Sequence, residues 1–275
     1  MEALRKEFRL QNLGFGGVPA SLFTSQKCGA RWYRIYTVYR VVIAVYQLSW
    51  NIAIPIIWGH PDFYRYQVDS KSKWIIYLSN WSFCVLTLYL VSAAVSCLLY
   101  KRQTQVHDET QLSAADDTPE DGPTEGSALF PWYFKLTWIL QNIAYSACAF
   151  VTVGYWFIEF KPGSTIVQIF TIHVHGISFL FGLVDVVLVS NPIRFLHFVY
   201  VYLYFLLYQI FALIYYKSGG TNPYGETHLY KGFIDWENSP TTSLIVLLVG
   251  TVLIAACFHG VFFGLAKIKG AIIKR

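Results

Sequence analysis

Charged side chains are scarce in this sequence. Only 13% of its 275 residues are Asp, Glu, Lys or Arg, whereas 55% are hydrophobic. A soluble domain carries charge on about a quarter of its residues, so a soluble fold would leave too much apolar surface in water. The sequence also contains no nucleotide-binding loop, HExxH motif, CxxC pair or heptad array. We therefore expect no cofactor, no metal centre and no nucleic-acid partner.

Cysteines are few, and their positions do not suggest a disulfide framework. Cys84, Cys97, Cys148 and Cys257 lie inside apolar segments, where a thiol behaves as a small hydrophobic side chain. Cys28 lies in the basic N-terminal region. It is either an inert thiol or a site of reversible palmitoylation.

Long apolar runs dominate the rest of the chain. A membrane span needs about 20 mostly apolar residues, and lipid offers the backbone no hydrogen-bond partners, which favours helices. The predicted spans are 36–58, 74–98, 136–158, 166–189, 195–216 and 243–265. The sequence therefore predicts an all-α integral membrane protein, a six-helix transmembrane bundle.

The distribution of Lys and Arg predicts the orientation of the bundle. Fourteen of these residues lie in the N-terminal segment 1–35, the second and fourth connections and the tail 266–275, against six in the other three connections. Basic residues are enriched on the cytoplasmic side. Both termini are therefore predicted to be cytoplasmic, with residues 36–265 forming the membrane domain.

Two connections are long enough to bind protein partners. Residues 103–129 carry seven acids and no base, a composition typical of disorder, and are predicted to lie in the cytosol. Residues 217–242 combine the turn-forming run SGGTNPYG with the aromatic-containing run LYKGFIDWENSP. We expect this exoplasmic connection to fold back on the membrane surface.

Ionisable residues inside a span are costly, so each one suggests a function. Counted at about 1.5 Å per residue, His173 lies roughly 12 Å and Ser79 roughly 8 Å from the exoplasmic end of their spans. A histidine beside a hydroxyl can act as base to a nucleophile, with Asn80 and His175 as supporting groups. The alternative is an interhelical hydrogen bond. A metal pair of His173 and His175 is disfavoured, because residues two apart on a helix do not face each other.

Other polar groups fit structural roles. Asp185, Arg194 and His197 surround a turn between two spans, where Arg194 is predicted to pair with Asp185. Arg40 is predicted to extend its guanidinium to the cytoplasmic surface.

The last span contains a strip of small residues. Ala256, Gly260 and Gly264 follow each other at intervals of four, beside His259. Such a strip allows close approach of another helix. It serves either internal packing or an oligomer.

Four segments resemble the rolling stone family in order and spacing. They are YLSNWSF (77–83), IHVHG (172–176), DVVLVSNPIRFLHFVY (185–200) and KGFIDWENSP (231–240). The resemblance implies a multi-pass plasma-membrane protein with a role in myoblast fusion during muscle development.

A more distant similarity connects the chain with the androgen-induced family of membrane hydrolases, which cleave fatty acid esters of hydroxy fatty acids. That similarity implies Ser79 as nucleophile and His173 as base. The sequence departs from the family pattern at three points. Ser79 is in the position where that family has a threonine, and Ile172 replaces an asparagine before the first histidine, His173. The second histidine, His175, comes one residue early.

Three functions remain open at this stage. The first is a non-enzymatic protein of cell–cell fusion that binds a partner or arranges lipid, and the second is an intramembrane lipid-ester hydrolase. A channel or transporter is less well supported, because the sequence shows no inverted repeat, broken helix pair or charged ring.

Overall fold

The computed structural model describes residues 7–24, 30–58, 71–114, 130–162 and 169–273. Within these ranges the protein is helical, apart from turns, loops and one isolated bridge between Tyr230 and Ile234. Cys28 and residues 115–129 of the predicted acidic loop lie outside the described residues.

Six helices are long and apolar enough to cross a membrane, which confirms the predicted all-helical fold and the number of spans. They are α1 (Ala30–Ile57), α2 (Leu78–Ala114), α3 (Trp132–Gly154), α4 (Ile169–Leu188), α5 (Phe198–Lys217) and α6 (Pro240–Ile245, continuing through Thr251–Ile273). Short 3-10 helices cover Leu10–Leu13, Ala20–Phe23, Lys71–Ile76 and Phe195–His197. Each long helix overlaps one of the predicted spans.

Three wide π-helical turns interrupt or extend these helices. Tyr155–Glu159 extends α3, His173–Ile177 lies within α4, and Val246–Gly250 lies within α6. A π turn accommodates one more residue than an α turn and is often found at functional sites. It also changes the direction in which the following side chains point.

Helix α3 is at the centre of the bundle and contacts α2, α4, α5 and α6, while α1 packs on α2. Small residues on α3 let its neighbours approach closely, since Ala144, Ala147 and Ala149 are almost completely buried. The outer faces of α1 and α6 expose many large apolar side chains, as expected for surfaces that contact lipid.

The two ends of the bundle differ. At one end, which we call the loop end, residues 218–239 form a folded long loop between α5 and α6. At the opposite end, the terminal end, residues 7–24 pack across the helices, with Phe15 against Trp138 and His197.

The structure differs from the sequence interpretation in residues 103–114, which were predicted to be part of a disordered loop. Helix α2 continues through them to Ala114. Extending an existing helix avoids the cost of nucleation, and Gln, Glu and Ala in this stretch are good helix formers.

The predicted small-residue strip on α6 is open. An added Cβ at Gly260 or Gly264 would meet no atom of a described residue within 4 Å. Association through Ala256, Gly260 and Gly264 stays a prediction.

Candidate functional site

A cavity of about 630 Å³ lies at the loop end of the bundle. All six helices and the long loop contribute to its walls, and most of the lining is apolar, including Ile54, Phe150, Phe170, Phe205 and Ile254. Its size is within the range of roughly 300–1,000 Å³ that is usual for small-molecule sites.

The cavity contains three of the four residues predicted to form a site. Ser79 is half-buried in its wall at the start of α2, beside the buried Asn80. The amide of Asn80 donates to the carbonyl of Trp74 at 2.5 Å, which joins the 3-10 helix Lys71–Ile76 to the first turn of α2. His175 is in the wall formed by α4.

His173 points away from the cavity, towards α1. Its Nε2 lies 3.2 Å from Gln47 Oε1, and because that oxygen only accepts, Nε2–H is the donor. Nδ1 then accepts from the hydroxyl of Tyr46 at 3.5 Å. The ring also stacks on Trp50, with centroids 4.6 Å apart.

This geometry corresponds to the interhelical hydrogen bond that the sequence left as the alternative. Among the described contacts, no hydrogen bond joins Ser79 to His173. Their pairing as nucleophile and base stays a prediction.

His175 is held in a different way. Its ring stacks on Tyr155 with centroids 3.9 Å apart and planes 8° from parallel. The indole of Trp156 donates to its backbone carbonyl at 2.7 Å. Both contacts join the wide turn of α4 to that of α3, and they fix the imidazole at the cavity wall.

The long loop forms the lid of the cavity and is built around Asn222. The side chain of Asn222 accepts from the backbone N–H groups of Tyr224 and Glu226 at 2.9 and 3.0 Å. It donates to the Glu226 carboxylate at 2.8 Å and to the carbonyl of His228 at 3.2 Å. Lys73 donates to the backbone carbonyl of Asn222 at 3.0 Å, which ties the loop to the segment before α2.

Tyr230 anchors the second half of the loop. Its hydroxyl accepts from the backbone N–H of Leu78 at 3.0 Å. Burial raises the pKa of Tyr230 to about 12, so the phenol remains protonated at physiological pH. Ile234, after the turn, is buried in the helix core. The loop is therefore part of the folded bundle.

Comparison with known proteins identifies a family that matches the chain over its length. The family described as protein rolling stone matches residues 1–275. The chain is also 26% identical over 278 residues to protein rolling stone of Drosophila melanogaster, covering 98% of this chain and 90% of that protein. No solved structure matches the chain.

The chain belongs to the rolling stone family. The resemblance of the four sequence segments is thereby confirmed over the full length. Segment 77–83 of this rolling stone family member contributes Ser79 and Asn80 to the cavity, and segment 172–176 contributes His175. Segment 231–240 forms the turn of the long loop.

A buried ion pair is the second polar feature of this rolling stone family member. Arg40 Nη1 donates to both oxygens of Asp185, at 3.0 and 2.9 Å, and their side chains are 0% and 1% exposed. Tyr39, Tyr89 and Tyr145 also donate to this carboxylate. The remaining guanidinium nitrogens donate to Tyr36 and Tyr89 at 3.0 and 3.2 Å. The network joins α1, α2, α3 and α4.

The predicted pairing of Arg194 with Asp185 is wrong, as is the prediction that Arg40 reaches the membrane surface. Arg194 donates instead to the carbonyls of Gly14 and Gly16 at 2.7 and 2.6 Å. The carboxylate of Asp185 points into the bundle, where Arg40 and tyrosine hydroxyls satisfy it. Arg194 follows the end of α4 and faces the N-terminal segment.

Proposed function

We propose that this chain is a multi-pass plasma-membrane protein that acts in myoblast fusion during muscle development, without an enzymatic activity of its own. The observation that carries the proposal is membership of the rolling stone family over the entire chain. The hydrogen bonds of His173 support the absence of a catalytic role, because both of its ring nitrogens already have partners on α1.

We place the long loop on the outer side of the plasma membrane, as the distribution of basic residues predicts. Its tip exposes two aromatic side chains and a cation: Tyr224 is 64% and Phe233 44% exposed, and Lys231 is exposed as well. Aromatic side chains often provide the main contacts of protein interfaces. A folded loop that presents them outwards is the surface on which a partner on an apposed cell would bind.

Deletion of the whole loop is a poor test of this proposal, because Asn222, Leu229, Ile234 and Asp235 of the loop are buried. Substitutions at the exposed tip keep the anchors. The variant we choose changes Tyr224, Lys231 and Phe233 together to serine.

The extent of fusion is measured as the fraction of nuclei that lie in multinucleate cells. In myoblasts that lack the protein, we expect the wild-type chain to raise this fraction to its normal level. The triple tip variant should give less than a fifth of that restoration, because the contact surface is removed while the loop stays folded. Lys217→Ser, another exposed change at the start of the same connection, should fuse like wild type.

Surface abundance measured on the same cells separates lost function from lost protein. Failure of the wild-type chain to restore fusion would contradict the role in fusion. Full restoration by the triple tip variant, at equal surface abundance, would contradict the assignment of the contact surface to the loop tip.

A further inference from the structure

The three wide turns described above all border the cavity at the loop end. Tyr155 and Glu159 belong to the turn of α3, His175 to that of α4, and Val246 to that of α6. A wide turn interrupts the regular hydrogen-bond pattern of an α-helix, and such turns are frequent at functional sites. Their convergence on a single space indicates that the shape of the cavity matters.

Three residues that line the cavity each have a buried side-chain polar atom with no hydrogen-bond partner in the part of the chain that the structure describes. These atoms are Oε1 of Gln209, Nδ1 of His175 and Nε1 of Trp74. Gln209 and Trp74 are each only 7% exposed. A buried polar atom without a partner is destabilising, and such atoms call for an explanation. All three residues line the same, mostly apolar cavity.

The chemistry of these atoms specifies the head group of that ligand. Gln209 Oε1 can only accept a hydrogen bond, and Trp74 Nε1 can only donate one. The imidazole of His175 can do either. A hydroxyl group serves all three, because it both donates and accepts.

An anionic head group does not fit. Among the described lining residues, the charged side chains are Glu159, Glu226 and Lys231, and all three are exposed at the rim. Acids outnumber bases there. A carboxylate or phosphate deeper in the cavity would lose its hydration without gaining a cation.

We propose that the cavity binds a neutral lipid with a glycerol-type head and one hydrocarbon tail, a monoacylglycerol. The several oxygens of that head can engage the separate donor and acceptor atoms, and the tail can lie along the aromatic and aliphatic wall. The inference is independent of the role in fusion, since it concerns binding to the purified chain.

The test uses the full chain, purified in detergent, with a monoacylglycerol that carries a photoreactive group and an alkyne in its tail. Gly154→Leu fills the cavity, because Gly154 lines it and an added Cβ there meets no atom of a described residue within 4 Å. We expect this change to reduce photolabelling at least tenfold. Gln209→Leu removes the acceptor with little change in volume and should reduce labelling about tenfold.

Gly260→Leu is the matched control: its Cβ position is also open, and it does not line the cavity. Its labelling should equal that of wild type. Equal labelling of wild type, Gly154→Leu and Gly260→Leu would overturn the proposal, since the lipid would then be only adventitious. Stronger competition by a free fatty acid or by cholesterol than by unlabelled monoacylglycerol would overturn the assigned head group. If Gly154→Leu does not elute as a monodisperse protein, Gln209→Leu decides in its place.

Discussion

Asp185→Ala is expected to lower the free energy of unfolding by about 3–5 kcal/mol, because removing one partner of a buried ion pair leaves the other charge uncompensated. Arg40 is completely buried among the helices, so its charge would remain in the bundle without its partner. Thermal unfolding of the detergent-solubilised chain, followed by the fluorescence of its nine tryptophans, measures the loss.

Arg34→Ala provides the matched control for this prediction. Arg34 lies on α1 six residues before Arg40 but is exposed, so its removal should change the stability by less than about 0.5 kcal/mol. The double variant Arg40→Met with Asp185→Leu should be more stable than Asp185→Ala, since it leaves neither charge unpaired. A similar small loss for Asp185→Ala and Arg34→Ala would show that the ion pair does not hold the helices together.

Asn222→Ala should unfold the long loop locally while the helices stay intact. The side chain makes four hydrogen bonds within the loop, and each contributes about 0.5–1.5 kcal/mol. A loss of about 2 kcal/mol corresponds to roughly thirtyfold faster exchange of the loop amides with solvent deuterium. Hydrogen exchange of peptides from residues 223–230 measures the effect.

Two variants define the specificity of that result. Asn222→Asp keeps the acceptor for the N–H groups of Tyr224 and Glu226 and should accelerate exchange less than alanine does. Ser218→Ala removes an exposed hydroxyl at the first residue of the loop, which donates to the carbonyl of Ile214 on α5, and should leave exchange unchanged. Loop exchange unaffected by Asn222→Ala would contradict this prediction and would mean that other contacts, such as those of Lys73, Tyr230 and Ile234, are enough to hold the loop.

The number of spans could be predicted because it depends on length and polarity, which the sequence states directly. The ends of the helices were harder to predict. Trp74 was predicted to begin the second span, yet it lies in the 3-10 helix Lys71–Ile76, and α2 begins at Leu78. Aromatic residues are enriched at the membrane boundary, so Trp74 fits both the first turn of the span and the segment just before it.

The depth of polar residues could also be estimated, but not the direction in which they point. Ser79 and His173 both lie near the loop end, as counted from the span ends. His175 lines the cavity while His173 contacts Gln47, in agreement with the rule that residues two apart on a helix do not face each other. Sequence spacing does not indicate which of the two faces the cavity. It also does not indicate the wide turn His173–Ile177.

The ion pair, by contrast, had a signal that sequence reasoning passed over. Arg40 and Asp185 each lie four residues inside the same end of their predicted spans, at a depth of about 6 Å. Two opposite charges at equal depth are better candidates for an ion pair than two charges that are merely near each other in the sequence. Arg194 was favoured over Arg40 for its proximity along the chain.

The most direct test of the account is to label the loop tip on living myoblasts. A Lys231→Cys chain would be treated, on intact cells, with a maleimide that cannot cross membranes, with the wild-type chain as background. The account predicts labelling of the variant on intact cells, and fusion reduced in labelled compared with unlabelled cells. Labelling of Lys231→Cys only after permeabilisation would place the tip on the inner side of the membrane and would contradict a role for it in contact between cells.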